Sequence, residues 1–333
     1  MDSVDSDFLV DLATRFYNRG QTQAQIARVL GVDPSTVSRQ LKRARDEGIV
    51  RIEIRRPLRL HVDLGRALAE RFGLARAVVV PQGDTIPSVA NAAAEYLSSR
   101  FATNTRLGLS FGRMPAAVAH ALPAGIVSGL DISLLLGGFG VAGAGIQGHE
   151  LARHVASLYP GSCIHYLQAP LVVDSPDIKE AMLRDGSIKA ALEAAAGSEL
   201  ALVGIGTLRD DAPLVRYGHL SDQDRQSLLR AGAVGDICAR FFTAEGQPVT
   251  VLDNRMMAIE ARALARIPTV VAVAAGPEKL AAIHGALHTG YVKVLVTDEA
   301  TARAIMESAG PSGGLTPPAP TTLAPAGWAG GGR

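Results

Sequence analysis

The sequence predicts an α/β protein in two parts: a small all-α unit at the N-terminus, then a larger three-layer unit built on a mostly parallel sheet. Three observations carry this. Residues 22–48 hold two short helix signals separated by a glycine turn. From about Leu58, short apolar runs alternate with amphipathic stretches, the pattern of repeated βαβ units. Those runs are almost continuous in Val, Leu and Ile, as in strands buried on both faces.

The totals bound the rest. The chain has 333 residues and a formal net charge of +1, so any nucleic-acid contact must be a local basic patch. A hydrophobic fraction of 47% against 20% charged residues suits a soluble globular protein with a sizeable core. Two distant cysteines, Cys163 and Cys238, suit a reducing compartment better than a disulfide scaffold. The acidic start MDSVDSDF lacks the apolar stretch of a signal peptide, and no apolar run approaches the length of a membrane span. A cytoplasmic protein with no membrane contact is expected.

In chain order, FLVDLATRFYNRG offers Phe8, Leu9, Leu12, Phe16 and Tyr17 as the apolar stripe of a supporting helix. TQAQIARVLG (22–31) follows, with Thr22 and Gln25 spaced as a capping box and Ile26 and Leu30 on one face. Gly31 stands where a helix needs a left-handed residue. Asp33 then caps a second helix with Pro34 at its first position, and Val37 and Leu41 form its apolar stripe. Two helices across a tight turn make a helix-turn-helix, whose second helix enters the major groove. Ser35, Thr36, Ser38 and Arg39 are expected at base edges, with Lys42, Arg43 and Arg45 on phosphates and Thr22 and Gln23 at the start of the first helix. Eight Lys and Arg against three Asp and Glu from Pro34 to Arg59 concentrate charge there. IVRIEIRRP alternates like a strand and suggests a small wing or a sheet edge.

Eight strand candidates follow: ARAVVVP (75–81), RLGLS (106–110), DISLLLGG (131–138), CIHYLQAP (163–170), LALVGIG (200–206), PVTVLD (248–253), TVVAVAAG (269–276) and VKVLVTD (292–298). Several end in glycine or polar loops, and in open α/β sheets the ligand crevice lies at those ends. A shared small-molecule pocket is expected there. Residues 310–333, rich in Pro, Gly, Ala and Thr, are expected to be a disordered tail.

These stretches resemble a known family. QTQAQIARVLGVDPSTVSRQLKRARDEGIV, GLSFGRM, GAVGDICARFF and the block from IPTVVAVAAGPEK to ATARAIM are similar to the SorC-type sugar-binding transcriptional regulators, over about residues 8–307. The resemblance implies a DNA-binding domain at 1–57. It implies a Rossmann-like effector domain of the sugar-phosphate isomerase type at 58–309, without catalysis. It also implies binding of double-stranded operator DNA as a homodimer or homotetramer, under control of a sugar, sugar phosphate or polyol. Carried over by position, it places the pocket at Ser110, Gly112, Arg113, Gly137, Gly138, Gly140, Gly206, Thr207, Asp236, Arg255, Gly276 and Lys279. Met114 stands where the family commonly has Thr, and a thioether accepts only weakly, which widens the expected effectors to unphosphorylated sugars and polyols.

Other readings are weaker. Gly138, Gly140 and Gly143 match the dinucleotide fingerprint, but the following strand CIHYLQAP lacks the acidic residue that would hold a ribose, so no nucleotide cofactor is expected. A sugar-phosphate isomerase- or deaminase-like enzyme with an appended DNA-binding domain is the main alternative. It would need a base at the pocket, with Asp210, Asp211, Asp236 and His149 as candidates by location and a solvated loop preferred for the first two. His284 and His288 are spaced i, i+4 but have no evident third ligand, so no metal site is expected.

Overall fold

A computed structural model describes residues 3–50, 60–81, 85–125, 127–138, 148–216 and 220–308. They fall into two compact units, one within residues 1–57 and one within 58–333. The predicted strand at 50–55 falls, apart from Val50, outside the described residues. So do Gly140 and Gly143 of the glycine loop and the predicted tail at 310–333.

The first unit contains α1 (Ser3–Ala13), a π-helical turn (Thr14–Asn18), α2 (Gln23–Leu30) and α3 (Pro34–Asp46). Leu12, Ile26, Ala27, Val37 and Leu41 form its buried core, with Phe16 and Leu30 packed on it. Phe8 and Tyr17, expected in the apolar stripe, are exposed. The five-residue π turn shifts the helical phase ahead of Tyr17, which packs edge-on against Phe16 at 4.9 Å. The capping box of α2 is formed in both directions: the Gln25 amide donates to the Thr22 hydroxyl at 3.2 Å, and the Thr22 amide donates to Gln25 Oε1 at 2.8 Å. Gly31 ends α2 at φ 67°, a conformation that only glycine adopts at little cost. At the start of α3 the Asp33 side chain makes no capping bond. Its carbonyl alone accepts from Thr36 and Val37.

The second unit runs α4 (Val62–Phe72), β1 (Arg76–Val80), α5 (Thr85–Ser98), β2 (Arg106–Leu109), α6 (Arg113–Ala121), β3 (Asp131–Leu134), α7 (Gly148–Leu158), β4 (Cys163–His165), α8 (Pro176–Leu183) and α9 (Gly186–Ala196). It continues with β5 (Leu200–Gly204), α10 (Pro213–Arg216), α11 (Asp222–Arg230), β6 (Gly235–Ile237), β7 (Arg240–Phe242) and β8 (Pro248–Val249). Last come α12 (Ala261–Arg266), β9 (Thr269–Val273), a 3-10 turn (Pro277–Lys279), α13 (Leu280–His288), β10 (Val294–Asp298) and α14 (Glu299–Ser308).

Among the described residues, seven strands form one parallel sheet in the order β1-β10-β9-β5-β2-β3-β4. Leu200 and Leu202 enter one core cluster while Ala201 and Val203 enter another; Val271 and Val273 likewise oppose Val270 and Ala272. The two clusters lie on opposite faces of the sheet, which is why these strands read as unbroken apolar runs. The sixth candidate, PVTVLD, does not join this sheet. Only Pro248 and Val249 are strand, in a small antiparallel sheet β6-β7-β8.

The chain leaves β2 toward β3 and β4 on one side, then returns to β5 on β2's other side. The loops leaving β2 and β5 therefore diverge, and a crevice opens at their carboxyl ends.

Candidate functional site

That crevice is a cavity of about 320 Å³, near the lower end of the range for small-molecule sites, roughly 300–1,000 Å³. Three parallel strands feed it. Ser110 to Pro115 follow β2, Gly204 to Thr207 close and follow β5, and Ala275, Gly276, Glu278 and Lys279 follow β9. Asp236 and Cys238 enter from the β6–β7 hairpin.

The hairpin is held in place by main-chain and buried side-chain bonds. Gly206 bridges Asp236 in antiparallel fashion, its amide donating to the Asp236 carbonyl at 2.9 Å. Arg240 is 2% exposed; it donates to the carbonyls of Ile259 and Ala258 at 2.8 and 2.9 Å and pairs with Asp253 at 3.2 Å. Cys238 and Ala239 turn the hairpin with φ of 52° and 58°, unusual for residues with a Cβ. The Asp236 carboxylate steadies that turn by accepting from the Ala239 amide at 2.9 Å.

Asp236 is the pivot of the cavity. It is 7% exposed, and its Oδ1 has no hydrogen-bond partner among the described residues. Burial raises its pKa from 3.8 to about 6, against the lowering effects of the Ala239 amide and Lys279. A Cβ at Gly206 would stand 2.0 Å from Oδ1, so the carboxylate sits there because residue 206 is glycine. Lys279 donates to the Ile205 carbonyl at 2.9 Å. Burial and the neighbouring Arg113 hold its pKa below the ordinary lysine value, against Glu278, Asp236 and Asp211. Ser110 is buried, and its hydroxyl accepts from the Gly204 amide at 3.3 Å, leaving its own proton to donate. α6 begins at the cavity wall after Gly112, which caps it at φ 141° without a side-chain bond. The Arg113 and Met114 amides, in its first turn, lack intrahelical acceptors. The cavity thus combines donors and acceptors for a polyhydroxylated ligand with cations and a helix N-terminus for an anionic one.

Of the expected pocket residues, Ser110, Gly112, Arg113, Gly206, Thr207, Asp236, Gly276 and Lys279 line the cavity. The Gly276 amide is already engaged by the Thr301 hydroxyl at 2.9 Å. Gly137 and Gly138 do not line it: their amides bond Met257 and Ala169, stitching the end of β3 to neighbouring loops. Arg255 does not line it either. No parallel strand precedes it, and its guanidinium pairs with Asp224 instead. Met114 does line it. Asp211 lines the cavity too, paired with Arg209 at 3.2 Å, whereas Asp210 pairs with Arg225 outside it. Thr85, Ile86, Arg209 and Glu278 line it without having been anticipated. The Cys238 thiol is pushed up by burial, which keeps it protonated.

The helix-turn-helix residues divide by helical angle. At 100° per residue, Ser35, Arg39 and Lys42 fall on the face opposite Val37, Leu41 and Ala44, with Ser38 and Arg45 on one side of it, and those five are exposed. Thr36 and Arg43 are half-buried on the flank, and Arg43 donates to Glu47 at 2.6 Å. The Thr22 hydroxyl is committed to the capping box, while Gln23 is half-buried.

Residues 56–307 match the family described as "Putative sugar-binding domain", and residues 10–44 match a helix-turn-helix domain. The chain belongs to the SorC-type sugar-binding transcriptional regulators. It is 31% identical to the deoxyribonucleoside regulator of Bacillus subtilis over 312 residues, covering 92% of this chain and 99% of that protein. It is 32% identical to the transcriptional regulator LsrR of Klebsiella pneumoniae, covering 91% of this chain and 93% of that one. The full-length sorbitol operon regulator SorC of Klebsiella pneumoniae superposes with a TM-score of 0.67 at 28% identity, over 91% of this chain and all of that one. This SorC-type regulator is a DNA-binding, sugar-responsive transcription factor. Among its described residues no helix is long and apolar enough to cross a membrane.

Proposed function

We propose that a small sugar, sugar phosphate or polyol binds in the 320 Å³ cavity and sets the affinity of α3 for its operator. The observation that carries this reading is the buried Oδ1 of Asp236, without a partner among the described residues, in a cavity at the topological switch point that Lys279 also lines. An orphaned buried acceptor is costly, and a ligand hydroxyl would satisfy it. The sorbitol regulator and the deoxyribonucleoside regulator among its relatives support an effector of pentose or hexose size. The protein acts in the cytoplasm, without catalysis, as a homodimer or homotetramer that presents paired α3 helices to half-sites about one helical turn or a multiple apart. The test is a thermal-shift screen of sugars, polyols and their phosphates, followed by operator binding with each hit. A ligand that raises the melting temperature must also change operator affinity; hits that leave DNA binding unchanged would overturn the coupling.

One observation favours an enzyme instead: a carboxyl with pKa about 6 beside a lysine has the properties of a general base. Turnover of a sugar phosphate by the purified chain, retained after removal of residues 1–57, would establish that reading.

A further inference from the structure

The parallel sheet ends at β4, and a second group of reactive side chains gathers on that edge. Cys163 opens β4 and His165 closes it, so their side chains share one face. Asp131 opens β3 and is the register partner of Cys163. Ile132, Leu134 and Ile164 point to the core on the opposite face. The Asp131 carboxylate, the Cys163 sulfur and a His165 ring nitrogen lie within 4.8 Å of one another. His165 Nε2 is 2.5 Å from Asp131 Oδ1.

We propose that Asp131, Cys163 and His165 form a binding site for a zinc-class divalent cation. A His–Asp pair alone accounts for two of the three residues. The third is an exposed thiol, whereas the protein's other cysteine is buried; free cysteine is among the residue types most often buried. The donor set selects the metal. Calcium and magnesium take oxygen ligands, whereas thiolate, imidazole and carboxylate together suit zinc. Bonds of about 2.0–2.3 Å in tetrahedral array put donor atoms roughly 3.3–3.7 Å apart. Exposed side chains reach that spacing by small rotations, the imidazole–carboxylate contact opening by about 1 Å. Binding releases the Cys163 thiol proton and requires His165 to carry its proton on Nδ1. Three protein ligands leave the fourth position to water. The metal would pin the short edge strand β4 onto β3.

His284 and His288 are the competing pair. Their rings lie 4.5 Å apart and stand edge-on to Phe72, and His288 Nδ1 is engaged with the His284 carbonyl at 2.9 Å. No third donor joins them among the described residues.

The test uses the full chain. Calorimetric titration with zinc is expected to give one site per chain, and cobalt a thiolate-to-metal charge-transfer band. Cys163→Ser should abolish the band and weaken zinc binding at least tenfold. His165→Gln should weaken it comparably, while His284→Gln leaves it unchanged. Absence of saturable zinc binding, or a site that survives Cys163→Ser and disappears with His284→Gln, overturns the proposal. All three positions are at least partly exposed, and circular dichroism of each variant checks the fold.

Discussion

Replacing Asp236 by Asn removes one charge from the cavity and almost no volume. In the native state, burial raises the carboxyl pKa from 3.8 to about 6. Between those values the unfolded chain has already released this proton while the folded one holds it, so stability falls as pH rises. A difference of about two pH units corresponds to about 3 kcal/mol, lost between roughly pH 4 and pH 6 and constant above. Asn has nothing to titrate, and its carbonyl oxygen retains the bond from the Ala239 amide that Oδ2 accepts at 2.9 Å. The stability of Asp236→Asn relative to the parent should therefore grow by about 3 kcal/mol from pH 4 to pH 7. Urea unfolding followed by circular dichroism measures this, and other acids cancel because both proteins share them. Parallel pH profiles would mean the carboxylate is hydrated, and the argument from an orphaned acceptor would fail. In the same experiments, a hydroxylated effector that satisfies Oδ1 should stabilise the parent more than the variant.

Three further outcomes follow from the geometry. Arg39→Ala should relax base preference at one operator position by about 1–3 kcal/mol, whereas Lys42→Ala should weaken all sequences alike and flatten the salt dependence by about one ion; equal loss of specificity in quantitative gel shifts would refute the division. Lys279→Ala should blunt the effector response while operator affinity without effector stays nearly unchanged; an undiminished response would remove Lys279 from the site. Gly206→Ala places a Cβ 2.0 Å from Asp236 Oδ1; the overpacking and the disturbed Ala239 bond should cost about 2–4 kcal/mol, and an unchanged melting temperature would show that the hairpin yields freely.

The helix-turn-helix was legible because its signals are local. The Thr22–Gln25 capping box, Gly31 and Pro34 each act within one helical turn, and each appears in the structure where the sequence puts it. The seven parallel strands were legible because two-sided burial forces continuous apolar runs. The antiparallel sheet was not. Its turn is Cys238–Ala239, which lacks the Asn or Gly that marks a two-residue hairpin, so nothing in GDICARFF announces a reversal. PVTVLD was misplaced for a related reason: its apolar alternation serves a two-residue strand and then a turn. Arg255, placed at the pocket by the family resemblance, follows that short strand and pairs with Asp224 instead. Asp211 failed in the opposite direction. It and the Arg209 beside it are exposed and charged, as a solvated loop would be, and only the divergence of the β2 and β5 loops makes that surface a cavity wall.

The topology also bears on how a ligand in this cavity could act on the protein that surrounds it. Its wall is drawn from segments far apart in sequence: residues 110–115, 204–207, 236 and 276–279. On the proposed reading, a ligand touching all of them adds bridges across three strand ends and the hairpin to the bonds already there, from Lys279 to the Ile205 carbonyl, the Gly204 amide to the Ser110 hydroxyl and the Gly206 amide to the Asp236 carbonyl. Each bridge favours whichever arrangement of those segments lets it form, and the ligand shifts the balance only by its difference in affinity between arrangements. A coupling of about 1–3 kcal/mol, a 5- to 150-fold change in operator affinity, needs no more than one or two hydrogen bonds that exist in one arrangement and not in the other. On that reading the acceptor for one such bond is Asp236 Oδ1, which has no partner among the described residues.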